Sequence, residues 1–78
     1  MKVKILSLSG VKFEGEAKGV NVKTSAGEIT VLDHHLPLIS VLQKCIAYVI
    51  NDKGKQEFVV NGGFIEVAEG NKVTLLTD

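Results

Sequence analysis

Apolar and polar residues alternate along most of this chain in short runs, the pattern of β-strands with one buried face. A clear example lies in the run over residues 13–24, where Val20 and Val22 share one face and Asn21 and Lys23 share the other. No segment keeps a helical period over 11 residues. The pattern therefore predicts an all-β protein.

The first run, from Lys2 to Ser9, changes phase part of the way along. Val3 and Ile5 alternate with lysines, after which Leu6 and Leu8 share a parity. A slip of this kind predicts a β-bulge or a change of face near the end of the first strand.

Turn-forming residues separate the later apolar runs. The segment from Leu36 to Leu42 fits a helical turn or a buried strand equally well, and we predict a strand after Pro37 because Ile39 and Val41 are poor helix formers. The turns are predicted at Ser25–Gly27, Asn51–Gly54, Gly62–Gly63 and Glu69–Lys72, and the strands between them near Ile29–Val31, Ile46–Ile50, Gln56–Val60, Ile65–Val67 and Val73–Thr77.

Seven to nine short strands at this spacing are typical of a β-sandwich or barrel. With 78 residues, of which 45% are hydrophobic, the chain is long enough for one small core. We expect a single domain over residues 1–78. Aromatic residues make up only 5% and Trp is absent, so the core must be built mainly from Val, Ile and Leu.

Charge and cysteine content narrow the function classes. Nine basic and nine acidic residues cancel, which argues against a protein that binds a phosphate backbone through a basic patch. Cys45 is the only cysteine and favours a reducing compartment. No signal-peptide pattern and no apolar run of about 20 residues occur. We expect a soluble domain that is able to dock on a membrane-bound assembly.

Asp33-His34-His35 is the cluster with the most chemical promise. Carboxylate and imidazole ligands suit Mn or Zn, but such a site needs further ligands, and the other Asp residues are only Asp52 and Asp78. The alternative is a polar loop with one His packed against backbone carbonyls, and we prefer it.

Two other features favour structural explanations. Cys45 begins an apolar run, so we interpret it as a buried structural residue rather than a nucleophile. Gly62-Gly63 is followed by a strand and lacks the Gly-Lys-Ser/Thr of a phosphate loop, which leaves a backbone bend. The residues alone thus predict a small β domain with a binding or structural role and no catalytic site.

Four segments together resemble the amino-terminal sandwich domain of the epsilon subunit of F-type ATP synthases, over nearly the whole chain. Residues 32–38 are similar to the family's Leu-Pro-Gly-His-Ala-Pro-Leu loop. Residues 58–78 are similar to its closing pattern, Gly-Gly-Phe/Ile-x-Glu-Val followed by Asn-x-Val-Thr-x-Leu-x-Asp. Residues 13–17 and 20–29 match its opening segment and its strand–turn–strand with a Gly-Glu step.

The resemblance implies a flattened sandwich of about ten strands and a non-catalytic role. Epsilon links the gamma subunit to the ring of c subunits in the central stalk, and so couples proton translocation to ATP synthesis on other subunits. It needs no cofactor or metal. The implied location is peripheral, on the cytoplasmic side of an energy-coupling membrane, most simply a bacterial plasma membrane.

The resemblance also implies two sets of contact residues. Contact with the c-ring is expected at one end of the sandwich, through the turn Ser25, Ala26 and Gly27 with Glu28 and His35 beside it. Contact with gamma is expected through Ser40, Val41, Leu42 and Ile46.

The chain departs from the family pattern at three places. Asp33-His34 replaces Pro-Gly before the family His, Leu36 replaces Ala after it, and Lys44-Cys45 replaces a second Pro-Gly. The 78 residues stop where the family's carboxy-terminal helical hairpin begins, so we expect them to lack its inhibitory function. The alternatives are a generic β-sandwich interaction module of another complex and a small metal-dependent hydrolase.

Overall fold

The computed structural model describes residues 1–78 and consists of β-strands joined by short connections. There are nine strands: β1 (Lys2–Ser7), β2 (Gly10–Glu16), β3 (Gly19–Thr24), β4 (Gly27–Leu32), β5 (Leu38–Leu42), β6 (Cys45–Asn51), β7 (Gly54–Val60), β8 (Gly63–Ala68) and β9 (Lys72–Thr77). No helix has the length and apolarity needed to cross a membrane.

All nine strands belong to one sheet that is folded over on itself. Along the hydrogen-bonded path the order is β2-β1-β9-β8-β5-β3-β6-β7. β5 and β6 pair with one edge of β3, and β4 pairs with the opposite edge. β1 and β9 are parallel, and the other pairs are antiparallel. The strands β2, β1, β9, β8 and β5 form what we call the first layer, and β4, β3, β6 and β7 the second layer.

β5 and β6 turn the corner between the layers. β5 pairs with β8 along five residues but with β3 only where Leu42 meets Thr24. After Gln43 and Lys44, β6 pairs with the same edge of β3. The Gln43 N–H donates to the Lys23 carbonyl at 2.9 Å, which closes the corner. Such a change of layer within one stretch of chain is how sandwiches make their corners.

The core lies between the layers and follows from the alternation in the sequence. Val20 and Val22 are fully buried, as the pattern predicts. Fifteen buried hydrophobic residues form one cluster, to which the first layer gives Val3, Ile5, Ile65, Val67, Val73 and Leu75, and the second gives Val20, Val22, Val31, Ala47, Val49 and Val60, with Met1, Ala17 and Leu42 at the connections and the corner.

The predicted irregularity in the first strand is confirmed. The β1–β2 register shifts between Ile5 and Leu6, where Phe13 and Val11 are the successive partners. The extra residue, Lys12, lies on β2. The bulge reverses the phase of β2, so that Phe13 packs against the core while Val11 is 59% exposed.

The prediction of one continuous run over residues 13–24 is wrong. The chain crosses from the first layer to the second at Ala17 and Lys18, between β2 and β3. Ala17 is buried there and its N–H donates to the Met1 carbonyl at 2.9 Å, while the Lys18 N–H donates to the Ile50 carbonyl at 2.8 Å. Tertiary hydrogen bonds therefore hold a crossing that the local pattern does not mark.

The other strand predictions agree with the structure. β5 starts at Leu38, directly after Pro37, and nine strands lie within the predicted seven to nine. The resemblance led us to expect about ten, one more than is present. Cys45 is half-buried rather than fully buried, because it starts β6 at the corner.

The connections gather at two ends of the folded sheet. One end, which we call the Gly62 end, carries the connections at residues 8–9, 25–26, 43–44 and 61–62. The opposite end, the Asn71 end, carries those at 17–18, 33–37, 52–53 and 69–71.

Candidate partner-binding surfaces

A row of outward-facing apolar side chains crosses the first layer near the Gly62 end. Each member is paired with the next on the neighbouring strand. We call this set the apolar row; it consists of Val11, Leu6, Leu76, Phe64 and Val41.

The apolar row is large and accessible. Phe64 is 53% exposed, Leu76 52% and Val41 48%, and Leu6 is half-buried. Because neighbouring strands lie about 4.8 Å apart, a row over five strands is roughly 19 Å long. A contiguous apolar surface of this kind on a small protein marks a site of association.

The sequence contains a signal for this row beyond the alternation that predicts the strands. In a strand with one buried face, two consecutive apolar residues place one side chain in the core and the other outside. Four such pairs lie in β1, β5, β8 and β9: Ile5-Leu6, Val41-Leu42, Phe64-Ile65 and Leu75-Leu76.

Towards the Asn71 end the same face becomes charged. The next cross-strand row contains Glu14, Lys4, Thr74 and Glu66, and ends on β5 with Ile39. Lys4 Nζ lies 3.5 Å from a Glu14 carboxylate oxygen. The outer face of the first layer is thus apolar at one end and polar at the other, as in an interface with a hydrophobic core and a polar rim.

The four residues expected to contact gamma divide between surface and interior. Val41 belongs to the apolar row. Ile46 is 44% exposed, on the outer face of the second layer beside Val59. Leu42 is only 3% exposed, and Ser40 is half-buried opposite the core residue Ile65.

The expectation that the Leu42 side chain contacts a partner is therefore corrected. Alternation along β5 points residues 40 and 42 inward and residues 39 and 41 outward. Ile39, which is 73% exposed, is the outward residue that the resemblance did not supply.

The turn expected to contact the c-ring is tight and well defined. The Thr24 hydroxyl donates to the Gly27 carbonyl at 2.8 Å and accepts from the Ala26 N–H at 3.1 Å. Gly27 has a φ of 119°, which favours glycine at this position. Ser25 and Ala26 are left exposed at the tip.

Glu28 is held on the outer face of the second layer. Its carboxylate accepts a hydrogen bond from the Asn21 side-chain amide at 3.0 Å, and the same amide nitrogen donates to the Thr30 hydroxyl at 2.9 Å. All three residues lie on the exposed side of the β3–β4 hairpin. The Glu28 carboxylate is therefore oriented before any partner arrives.

The structure does not bring His35 next to this turn, so the expectation that both lie at one end is corrected. Glu28 is near the start of β4, whereas His35 follows its last residue, Leu32. Leu32 lies four positions beyond Glu28 along the strand, a rise of about 13 Å, and His35 follows it at the Asn71 end. What the two sites share is β4, whose only pairing partner is β3.

The loop carrying His35 is tied to the β8–β9 turn. The His34 N–H donates to Asn71 Oδ1 at 2.8 Å, and Asn71 Nδ2 donates to Asp33 Oδ1 at 3.1 Å. Asp33 Oδ1 also lies 2.7 Å from the N-terminal ammonium of Met1. His35 Nδ1 lies 2.7 Å from the Leu36 carbonyl oxygen.

These contacts give the Asp33-His34-His35 cluster a structural role in a hydrogen-bonded loop. The hydrogen bond from the N-terminal ammonium, followed by that from the Asn71 amide, lowers the pKa of the Asp33 carboxyl below its usual value. No group of three or more His, Cys, Asp or Glu side chains is arranged to hold a metal ion. The arrangement agrees with a polar loop in which a His packs against a backbone carbonyl.

Comparison with known proteins gives a family match over the whole length. The profile of the family described as ATP synthase, Delta/Epsilon chain, beta-sandwich domain matches residues 1–78. The ATP synthase epsilon chain of Endomicrobium trichonymphae is 37% identical over 70 residues, which cover 90% of this chain and 51% of the relative. The chain thus spans about half the length of that curated relative.

Solved structures have the same architecture. A chain of the Euglena gracilis mitochondrial ATP synthase, determined with its c-ring in rotational state 1, superposes with a TM-score of 0.88 and 25% identity, over 96% of this chain and 48% of the other. A chain from the central stalk and c-ring of the Tetrahymena thermophila mitochondrial ATP synthase gives a TM-score of 0.81 at 15% identity, over 99% and 62%. The second likeness concerns the fold alone.

Proposed function

We propose that this chain, which belongs to the family of ATP synthase delta/epsilon chain β-sandwich domains, is the part of a central-stalk epsilon subunit that joins the gamma subunit to the c-ring. The observation that carries the proposal is the family match over residues 1–78. The 37% identity to an epsilon chain supports it.

In this role the domain is not an enzyme. Residues 1–78 act as one rigid connector, and ATP is made on other subunits while proton flow turns the ring. The domain sits at the periphery of a membrane-associated complex. We further propose that the domain lies on the cytoplasmic face of a bacterial membrane.

The apolar row is the surface we assign to gamma. It contains Val41, one of the residues that the resemblance pointed to, and it is continuous from β5 to β2. Covering it removes Phe64 and Leu76 from water, and burial of apolar area contributes about 25 cal/mol per Å². Ile39 faces outward on the same strand as Val41, Ile46 faces outward from the second layer, and Ser40 and Leu42 act by shaping β5 from within.

The c-ring contact is assigned to the length of β4. A contact at one end of the sheet would reach the turn at Ser25 or the loop at His35, but not both. A contact along β4 reaches the turn, Glu28 and then His35 in order. Glu28 and Thr30 make most of this surface polar, which suits a partner that presents polar loops, and the exposed Leu32 is its apolar member.

The fold is suited to transmitting torque. Both proposed surfaces lie on one continuous sheet, in which 40 of the 46 backbone hydrogen bonds join strand residues. A hydrogen-bonded sheet around a packed core deforms little under load. A rigid connection of this kind would pass the rotation of one partner to the other, because no flexible joint lies between the two proposed surfaces.

The test is co-expression with the gamma subunit of the same organism, followed by gel filtration. A one-to-one complex that survives the column is expected. A folded domain that elutes alone would contradict the stalk role and favour an interaction module of another complex.

For the ring contact, Glu28→Lys and His35→Ala should weaken coupling of proton transport to ATP synthesis while the fold stays intact.

A further inference from the structure

The loop between β4 and β5 contains one of the two non-glycine residues with a positive φ. His34 has a φ of 63°, in the left-handed region that residues with a Cβ seldom occupy. Such a conformation persists only where surrounding contacts hold it. His34 is exposed, so core packing does not hold it.

The His34 backbone is instead bound by Asn71, 37 positions away in the chain, and the neighbouring Asp33 is also bound by the N-terminal ammonium of Met1 at 2.7 Å. Asn71 Oδ1 accepts the His34 N–H at 2.8 Å, and Asn71 Nδ2 donates to the Asp33 carboxylate at 3.1 Å. One side-chain amide thus binds two consecutive loop residues through both of its polar atoms.

Asn71 is itself held firmly. It has a φ of 60°, the only other positive value outside glycine, and Asn is among the few residues that tolerate this region. Its carbonyl accepts the Lys2 N–H at 3.0 Å. The backbone of Asn71 is therefore fixed to β1 while its side chain reaches across to the loop.

We propose that Asn71 is a positioning residue for the partner-binding loop: by holding His34 in the left-handed conformation, it sets the direction in which His35 leaves β4. The proposal rests on the ring-contact role assigned above to His35. Beyond residue 34, the His35 N–H donates to the Leu32 carbonyl at 3.2 Å, which closes a four-residue turn whose type is set by the positive φ of His34 at its third position.

The test compares Asn71→Gly with a matched change at Asn61. Glycine tolerates a positive φ, so Asn71→Gly removes the side-chain bonds without forcing a new backbone conformation. Asn61 is an exposed asparagine at the opposite end, which makes Asn61→Gly the control. The third variant combines Asn71→Gly with His34→Gly, because a glycine at 34 takes the left-handed conformation without help.

Two readouts separate the proposal from its premise. The first is the amide exchange rate of His35 in the free 78-residue domain, which reports the loop turn directly. The second is affinity for the detergent-solubilised c-ring of the same organism, in complex with gamma, for each variant and for His35→Ala.

Asn71→Gly is expected to speed His35 exchange and to weaken ring binding, each about tenfold, which corresponds to roughly 1.4 kcal/mol. Asn61→Gly should change neither value. The His34→Gly/Asn71→Gly double variant should recover most of both, whereas a general loss of stability would deepen with the second glycine.

Unchanged His35 exchange in Asn71→Gly would overturn the proposal. Faster His35 exchange or weaker ring binding in the double variant than in Asn71→Gly alone would also overturn it. If His35→Ala weakens ring binding and Asn71→Gly does not, positioning by Asn71 is also overturned. If His35→Ala leaves ring binding unchanged, it is the ring-contact assignment that fails, and the exchange rates still decide whether Asn71 shapes the loop.

Discussion

Gly63 and the carbonyl group of Leu76 lie so close together, across the β8–β9 pair, that no side chain fits between them. A Cβ at Gly63 would overlap the Leu76 oxygen, and the φ of Gly63 is 123°. The contact lies directly beneath the apolar row, since Leu76 and Phe64 are its neighbours. The glycine is thus a requirement of the fold at this surface.

Gly63→Ala is expected to destabilise the domain by roughly 3 kcal/mol or more, because overpacking and backbone strain add. The measurement is the free energy of unfolding in urea. Gly54→Ala is the control: its φ is 124° but nothing lies within 4 Å of its Cβ position, so only the strain of about 1 to 3 kcal/mol remains. Equal losses in the two variants would refute the steric explanation.

Alternation along β5 and β8 predicts opposite outcomes for two isoleucines. Ile65 is fully buried between the layers and Ile39 is 73% exposed. Ile65→Ala should cost about 2 to 5 kcal/mol because it leaves a cavity, whereas Ile39→Ala should cost less than about 0.5 kcal/mol. Chemical denaturation of both variants checks this, and a similar cost for both would mean that the assigned layer faces are wrong.

The apolar row should be needed for gamma binding and not for folding. Phe64→Thr and Leu76→Thr place a β-branched, strand-favouring residue at each position and remove apolar surface. We expect weaker co-purification with gamma and a change in unfolding free energy of less than about 1 kcal/mol.

Leu32→Thr is the matched control for the apolar row, because Leu32 is 59% exposed but lies on β4. It should leave gamma binding unchanged. If all three variants weaken the complex equally, total surface hydrophobicity rather than the row would explain the association.

Asp33 should make the free energy of unfolding depend on pH in the acidic range. Its pKa is lowered in the folded state by the N-terminal ammonium and Asn71, so its stabilising effect is fully present above the unfolded value of about 3.9. The effect is lost as the pH falls through the lower folded value.

Asp33→Asn is therefore expected to lower the melting temperature at neutral pH, with the difference from wild type shrinking below about pH 4. Thermal unfolding from pH 7 to pH 2 measures this. A difference that stays constant across that range would show that the charge of Asp33 is not what stabilises the loop.

Local pattern determined most of the strands. Alternation around Val20 and Val22, the phase slip after Ile5 and the turn residues between runs are properties of neighbouring positions, and all three reappear in the structure. The resemblance also indicated the family from the sequence, because motifs such as Gly62-Gly63-Phe64 occur along the chain in the same order as in the family pattern.

Only the tertiary structure decided which residues meet. The crossing at Ala17, the burial of Leu42 and the distance between Glu28 and His35 depend on how the layers fold over each other. The bond between His34 and Asn71 joins positions 37 residues apart. A sequence read locally fixes the faces of each strand, since side chains alternate, but the pairing of distant strands follows from burying all the apolar faces in one core.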